Sequence, residues 1–427
     1  KRRTRLETFN QFKGLPKEVY ILALTRWISG MGSMIWAFSS IILTSVVGLS
    51  SQQTGWVMLS YSTATMVGTV VGGKAADYYG RKRVILALTI ISCTSKLVSA
   101  FFCTSVWIVP LTVISFFFGS GIYPVVSAMV ADIVKSSGST KRTESFSLLY
   151  MCANLGVAVG PAIGGSLVAN HLPYIYVIEA VMFMAGSGLL YAFTTESYTV
   201  KRFRPSIRGG ESDDVGHTLR VGTWTMLMRR KLLASFIALL TLATMCYAAV
   251  NYLLPMQFRD NFGLGQGSAY SGRVWTVNAL VVVFATPLIV RYTKKNHQMK
   301  CSAWGCALYA IGFGAYAYVT KLPMYFVAVA VWSLGEVVIS TGAGAFISEN
   351  SPPSHVARFQ SLYEGGRSLG RGLGPVVYGQ MLLLLAYTEI WNIVSISCFG
   401  IAAMFLAIYL KVARSQPTAP EEEESYE

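Results

Sequence analysis

Charge is scarce in this chain and acid is scarcer: 13% of the 427 residues are charged, 35 Lys and Arg against 20 Asp and Glu, where a soluble domain carries about 25%. A 53% hydrophobic composition and a mean hydropathy of +0.49 leave too few polar residues to clothe a water-soluble surface. The reading is a polytopic membrane protein. Histidine occurs four times. The seven cysteines (Cys93, Cys103, Cys152, Cys246, Cys301, Cys306 and Cys398) sit mostly inside apolar runs, without the paired spacing of a metal site or of a secreted disulfide framework. They read as core thiols, with no metal and no cofactor. No Gly-x-x-x-x-Gly-Lys-Ser/Thr stretch is present to cradle a nucleotide phosphate, which argues against ATP-driven pumping, and no nucleophile-base motif marks an enzyme. A net charge of +15 would suggest nucleic acid in a soluble chain. Here the cations fall in loops on one side of the apolar runs, so they read as topology beside membrane lipids, without nucleic acid.

What is abundant is apolar length. Hydropathy places six runs long enough to cross a bilayer near 19–46, 53–75, 83–103, 106–131, 144–169 and 173–195, and six more near 232–257, 271–291, 299–320, 322–348, 358–386 and 389–412. Counting from a cytoplasmic N-terminus puts Lys135, Lys141, Arg142, Arg291, Lys294, Lys295, Lys300, Arg358, Lys411 and Arg414 inside, on the face that retains Lys and Arg. The opposite loops carry little beyond Arg259, Arg273 and Lys321. Both termini therefore read as cytoplasmic. The basic N-terminal stretch leads straight into a full span with no small-residue cleavage site, so no signal peptide is expected.

Residues 196–231 form the one long polar interval and read as a cytoplasmic linker between residues 1–195 and 232–412, with 413–427 (ending EEEESYE) as an acidic cytoplasmic tail. His217 to Lys231 mixes Leu219, Trp224 and Leu227 with cations, as a helix lying along an anionic leaflet would; a plain disordered linker reads as well. GVAVGPAIGG around Gly160-Pro161 is echoed by GRGLGPVVYG around Gly374-Pro375, and the shift that lays Pro161 on Pro375 also lays KAADYYGRKR over LIVRYTKKNH. A constant offset at two distant places indicates a duplication. The expected fold is an all-α membrane protein of twelve transmembrane helices in two pseudo-symmetric six-helix bundles.

The stretch from Gly72 to Leu86, GGKAADYYGRKRVIL, reads as a tight polar turn between the second and third spans. Its Gly73, Asp77, Gly80, Arg81 and Lys82 resemble the signature loop of the major facilitator superfamily, with Tyr78 where that family often has a base. The resemblance implies a gate: Asp77 should meet the N-terminal end of the eleventh helix, where the dipole favours an anion, and Arg81 should pair with Asp132. These contacts should hold the halves together while the cavity opens outward and part when it opens inward. In the fifth span, Gly156, Gly160, Pro161, Gly164 and Gly165 give a small-residue face and a missing backbone donor. By the same resemblance this pattern is similar to the motif of exporters that exchange substrate for protons. Two departures stand out: Ser115 lies where drug exporters commonly hold an Arg before the glycine matching Gly119, and Arg26 lies where many exporters of cations hold an acid.

Charges inside spans are costly and usually face a cavity or a partner. Those found are Arg26, Lys96, Asp132 and Glu179 in the first half, Glu336 in the tenth span, and Glu364, Arg367 and Arg371 on one face of the eleventh. A carboxyl whose solvation and counter-ion change between two states can take up a proton in one and release it in the other. Glu336 is the first choice for that carrier and Glu364 the second, with Arg367 or Arg371 as counter-ion; a static Glu364–Arg367–Arg371 cluster locking the gate is the competing reading. Arg26, Trp27, Trp36, Lys96, Tyr123, Tyr150, Asn154, Tyr252, Asn278 and Tyr363, with Glu336, are the candidate substrate contacts, although aromatics at helical spacing more often simply pack. The expected protein is a monomeric transporter of the plasma membrane. It exports small amphipathic molecules in exchange for protons by alternating access, with the proton as coupling ion. The alternative, prompted by Arg26 and Lys96, is proton-coupled uptake or facilitated transport of an anionic metabolite.

Overall fold

A chain crossing hydrocarbon must satisfy its backbone groups within each segment, which leaves helices as the economical solution. Among the described residues there is no strand. The computed structural model describes residues 12–137, 141–195, 230–293, 295–351 and 356–415. The expected linker, apart from residues 230 and 231, lies outside the described residues, as do the surface helix weighed for it and the acidic tail beyond 415.

The first span runs Lys17–Met31, breaks, and resumes as Ile35–Ile41 and a π-helical turn Ile42–Val46. The second is Ser51–Tyr79, the third Arg81–Phe101, and the fourth Ile108–Ser120 continued by Ile122–Ser136. Arg142–Leu167 and Leu172–Phe193 complete the N-terminal bundle. In the C-terminal bundle one 63-residue helix, Lys231–Thr293, folds back on itself at Gly263, whose φ of 77° only glycine adopts at little cost, and so makes the seventh and eighth spans. Gln298–Ala315, Leu322–Asn350, Val356–Met381 and Tyr387–Ser415 are the ninth to twelfth.

Eight of these helices are long and apolar enough to cross a membrane by composition alone, the folded one among them. The second, ninth and eleventh spans are more polar. The second and eleventh pack along each other where the bundles meet, so they have less need of a lipid-compatible surface.

Two turn expectations need correction. The polar stretch after Gly72 is not a loop: residues 72–79 are helical, and Gly80 alone, at φ 91°, reverses the chain before Arg81 starts the next helix. The interval 258–270, expected to be a loop, is likewise helical except at Gly263. In both places the charged and polar residues remain on helix ends that reach beyond the apolar stretch.

The C-terminal bundle is held by fully buried aromatic residues, among them Phe313, Tyr316, Tyr325, Trp332 and Trp391. Their polar tips are satisfied, with Trp332 donating to the Tyr316 hydroxyl at 2.8 Å and Trp391 to Gln257 at 2.8 Å. The end of the molecule carrying Arg81, Lys82, Arg83, Lys135 and Arg291 is called the basic end here, and the opposite one the far end. The contacts that join the bundles gather in the far half. A Cβ on Gly55 or Gly379 would strike the Pro375 or Ser51 carbonyl, and one on Gly165 or Gly272 the Ser268 or Pro161 carbonyl. Thr276 adds a hydrogen bond to the Ala158 carbonyl at 2.6 Å. Toward the basic end, Gly73 and Gly365 face open space. Among the described residues, the cleft between the bundles is closed at the far end and open at the basic end.

Candidate functional site

A cleft lies on the inner face of the C-terminal bundle. The seventh span supplies Thr244 and Tyr247, the ninth Tyr309, the tenth Glu336 and Ser340, and the eleventh Tyr363, Arg367 and Arg371. Glu336 sits mid-span and is held by neutral donors. The Asn278 amide donates to its carboxylate at 2.8 Å and the Tyr247 hydroxyl at 3.4 Å. Asn278 in turn donates to Ser333 at 3.0 Å. Arg367 lies close enough to interact with the Glu336 charge, yet its ion pair is with Glu364, at 3.2 Å. Arg371 hydrogen-bonds Ser368 at 3.3 Å and, among the described residues, has no carboxylate at ion-pair distance.

The N-terminal bundle presents Tyr150, which interacts electrostatically with Glu336, Arg367 and Tyr123, and Arg26, whose guanidinium stacks 3.9 Å from the Tyr123 ring centre and donates to the Tyr123 carbonyl at 3.2 Å. Tyr123 and Tyr150 are exposed, at 61% and 47%, as residues on the wall of an open cleft are. Asn154 donates to the Tyr150 carbonyl one turn back in its own helix. Glu336, Asn278, Tyr363, Arg367, Arg371, Tyr150, Tyr123 and Arg26 are thus brought together, with Glu364 at the exposed rim, 57% accessible.

Three expected contacts, Lys96, Tyr252 and Trp36, lie elsewhere. Lys96 is 2% exposed and is not a cleft residue: it pairs with the buried Glu179 at 3.6 Å, donates to Ser92 at 3.1 Å and lies over the Phe183 ring. Glu179 also accepts from the backbone N–H groups of Met34 and Ile35, at 3.1 and 2.9 Å, where the first span restarts after its break. An unpaired ion in that core would be very costly, so Lys96 belongs with the acid that caps the helix. Tyr252 is fully buried at the far end and donates to the Ser51 carbonyl of the other bundle. Trp36 packs edge-on against Phe116 inside the N-terminal bundle, at 5.7 Å. Trp27 is half exposed, with its backbone carbonyl against Gly156.

The gating residues fall into three groups. Arg81 pairs with Asp132. Asp77 is exposed and, among the described residues, makes no ion pair, while Gly73 beside it meets nothing. The Gly-rich fifth helix serves two neighbours: Gly156, Gly160 and Gly164 lie against the first span, while Pro161 and Gly165 lie against the eighth. Tyr247, Tyr309 and Ser333 were missed by sequence reasoning. Nothing in their local pattern separates an aromatic residue that touches a carboxylate from one that packs in a core.

A family model described as Major Facilitator Superfamily matches residues 22–375 and again 300–426. An uncharacterized MFS-type transporter of Bacillus subtilis, YttB, is 23% identical, covering 86% of this chain and 89% of its own. A Na(+), Li(+), K(+)/H(+) antiporter of Planococcus maritimus is 19% identical, covering 83% and 87%. The multidrug resistance protein MdtH of Aeromonas salmonicida is 22% identical, covering 84% and 87%. Among solved structures, the peptide transporter POT superposes with a TM-score of 0.76 at 15% identity, covering 94% of this chain and 96% of that one. The nucleoside transporter NupG does so with 0.75 at 12%, covering 92% and 100%. At these identities the structural likeness speaks for the fold.

Proposed function

The chain belongs to the major facilitator superfamily and is an integral membrane transporter rather than an enzyme, and from that premise we propose that it exports small amphipathic molecules in exchange for protons. The observation that carries this reading is Glu336, a mid-span carboxyl group on the wall of the cleft, held by Asn278 and Tyr247 and, among the described residues, by no ion pair. A carboxylate bound by neutral donors can lose or gain a proton without breaking a salt bridge, and its proton affinity follows its solvation and the position of nearby cations. Arg367 is the cation whose distance would change as the bundles rock. The exporter-like glycines of the fifth span, and relatives named as an antiporter and a multidrug resistance protein, support the direction. The protein acts as a monomer in the plasma membrane. Its basic end is cytoplasmic, because Lys and Arg are retained there.

In this reading proton and substrate compete for the cleft, so substrate binding strengthens as pH rises through the titration of Glu336. Proteoliposomes carrying a pH-sensitive dye test it. Addition of substrate releases protons with the wild type, and Glu336→Gln reduces the signal to background while leaving the protein folded. Normal coupling in Glu336→Gln overturns the assignment.

Arg371 favours a second reading, because it lines the cleft and, among the described residues, has a hydroxyl and no carboxylate at bonding distance. An acidic group on the solute would complete it, as a carboxylate completes a guanidinium fork. Protonation of Glu336 would then leave Arg367 freer to bind that anion. Proton and solute would travel together, and binding would strengthen as pH falls. The sign of the pH dependence separates the two.

A further inference from the structure

The far end of the cleft is shut by small-residue packing, by hydrogen bonds such as that from Tyr252 to the Ser51 carbonyl, and by a charged side chain that crosses between the bundles. Arg259, at the end of the seventh span, reaches across the bundle boundary and donates to the hydroxyls of both Thr44 and Ser45, at 3.0 and 2.9 Å. Its Nε pairs with Asp260 at 2.7 Å, and the other Asp260 oxygen accepts from the Tyr387 hydroxyl, also at 2.7 Å. Arg259 is thus anchored within its own bundle and hooked onto the other.

The receiving side is specialised. Thr44 and Ser45 lie in the π-helical turn Ile42–Val46, closed by a bond from the Val47 N–H to the Ile42 carbonyl at 3.0 Å. Successive residues of the wider π turn are separated by a smaller angle than in an α-helix, which helps two neighbouring hydroxyls face one guanidinium; such turns are rare and recur at functional sites. Thr44 sends its own proton back to the Ser40 carbonyl at 2.7 Å, which leaves its lone pairs free for Arg259.

The pairing is unequal: the C-terminal bundle supplies the guanidinium and the N-terminal bundle the hydroxyl acceptors, and a charged donor bonds to hydroxyls more strongly than a neutral one does. Arg259 is 26% exposed, so water can replace these bonds when they break, as a reversible contact requires.

We propose that Arg259, seated on the π turn of the first span, is the latch that holds the far side of the cleft closed and must release before that side can open. The proposal rests on the alternating-access reading but not on the identity of substrate or coupling ion. Amide hydrogen exchange on the full-length protein, without ligand or pH gradient, tests it. In Arg259→Ala, exchange over residues 42–50 and 255–265 should rise about tenfold, the scale of a lost charged hydrogen-bond set. Exchange over residues 74–83 at the basic end should fall, because the cleft closes there as it opens opposite. Arg259→Lys, which keeps the charge but loses the fork, should lie between. Thr44→Val with Ser45→Ala should reproduce Arg259→Ala while sparing the Asp260–Tyr387 anchor, and decides the matter if Arg259→Ala does not fold. Unchanged exchange at both ends overturns the proposal. So does a rise confined to the far end, which would mark Arg259 as a local brace. Failure of the Glu336→Gln coupling test would leave this result untouched.

Discussion

A Cβ on Gly156 would meet the Trp27 carbonyl and one on Gly160 the Met31 carbonyl; at the equivalent places in the second bundle, Gly370 and Gly374 stand in the same relation to Thr241 and Met245. Across the bundle boundary the repetition continues, with Gly165 against Ser268 matched by Gly379 against Ser51, and Gly272 against Pro161 matched by Gly55 against Pro375. Ser268 and Gly272 stand about one helical turn beyond the positions that the shift alone assigns to Ser51 and Gly55. The two bundles therefore share a skeleton of backbone approaches that only glycine permits. Their ionisable groups obey no such symmetry. Glu364, Arg367 and Arg371 correspond by the same offset to Tyr150, Ala153 and Val157. Lys96 and Glu179, buried together in the N-terminal bundle, correspond to Ala310 and Ile393. The N-terminal bundle turns Lys96 and Glu179 into its own core, where they neutralise each other and cap a broken helix, and leaves Arg26 beside the cleft. The C-terminal bundle turns Glu336, Arg367 and Arg371 toward the cleft. Duplication preserved what packing demands and left the chemistry free to diverge.

The sharpest way to break this comparison is at the Lys96–Glu179 pair. Lys96→Met alone leaves a buried carboxylate uncompensated and should cost about 3–5 kcal/mol, read as a large fall in the melting temperature of the purified protein. Lys96→Met combined with Glu179→Gln keeps an acceptor for the Met34 and Ile35 N–H groups and should recover most of that loss. If Lys96→Met instead melts normally and transport changes, the pair belongs to the solute pathway and the division between the bundles fails.

The shared skeleton can be probed with a single methyl group. Gly160→Ala drives a Cβ into the Met31 backbone, while Gly374→Ala meets the Ala248 side chain and the Met245 carbonyl. Overpacking of this kind costs about 1–3 kcal/mol, and Gly160 should be the worse of the two because backbone yields less than a side chain. Gly188→Ala, whose Cβ would meet nothing within 4 Å, should leave thermal stability unchanged. Equal melting temperatures for all three proteins would mean that the repeated approaches are incidental.

The comparison also explains what could be read from the sequence. The spans, the duplication and the glycine face were legible because bilayer length, a constant offset between repeated segments and residue size are properties of the chain itself. Glu336 and Arg367 were legible because ionised groups are rare in hydrocarbon. Lys96 was misread for the same reason: a charge inside a span points equally to a cleft or to a buried partner, and only the fold brings Glu179 of the sixth span to within 3.6 Å of it. Tyr252 was misread because an aromatic residue looks the same in a binding wall and in a closed gate. The double-hydroxyl receptor for Arg259 was invisible, since a π turn leaves no mark that distinguishes ILTSV from an ordinary apolar helix.

The smallest effect on stability is expected at Asp77, and it tests whether the basic end has a gate to match the far one. Asp77 is exposed and, among the described residues, without an ion pair while the cleft is open at its side, so Asp77→Asn should not move the melting temperature. By family resemblance its partner is the start of the eleventh helix, a contact available only when that end closes, where the helix dipole would favour the anion. Loss of the charge then penalises the closed state alone. Transport should slow, and exchange over residues 74–83 should rise while that over 42–50 falls, the mirror image of the Arg259→Ala result. An Asp77→Asn protein that transports at the wild-type rate with unchanged exchange would leave Arg259 as a latch without a counterpart, and gating, like the charge, would prove to be unequally divided between the two ends.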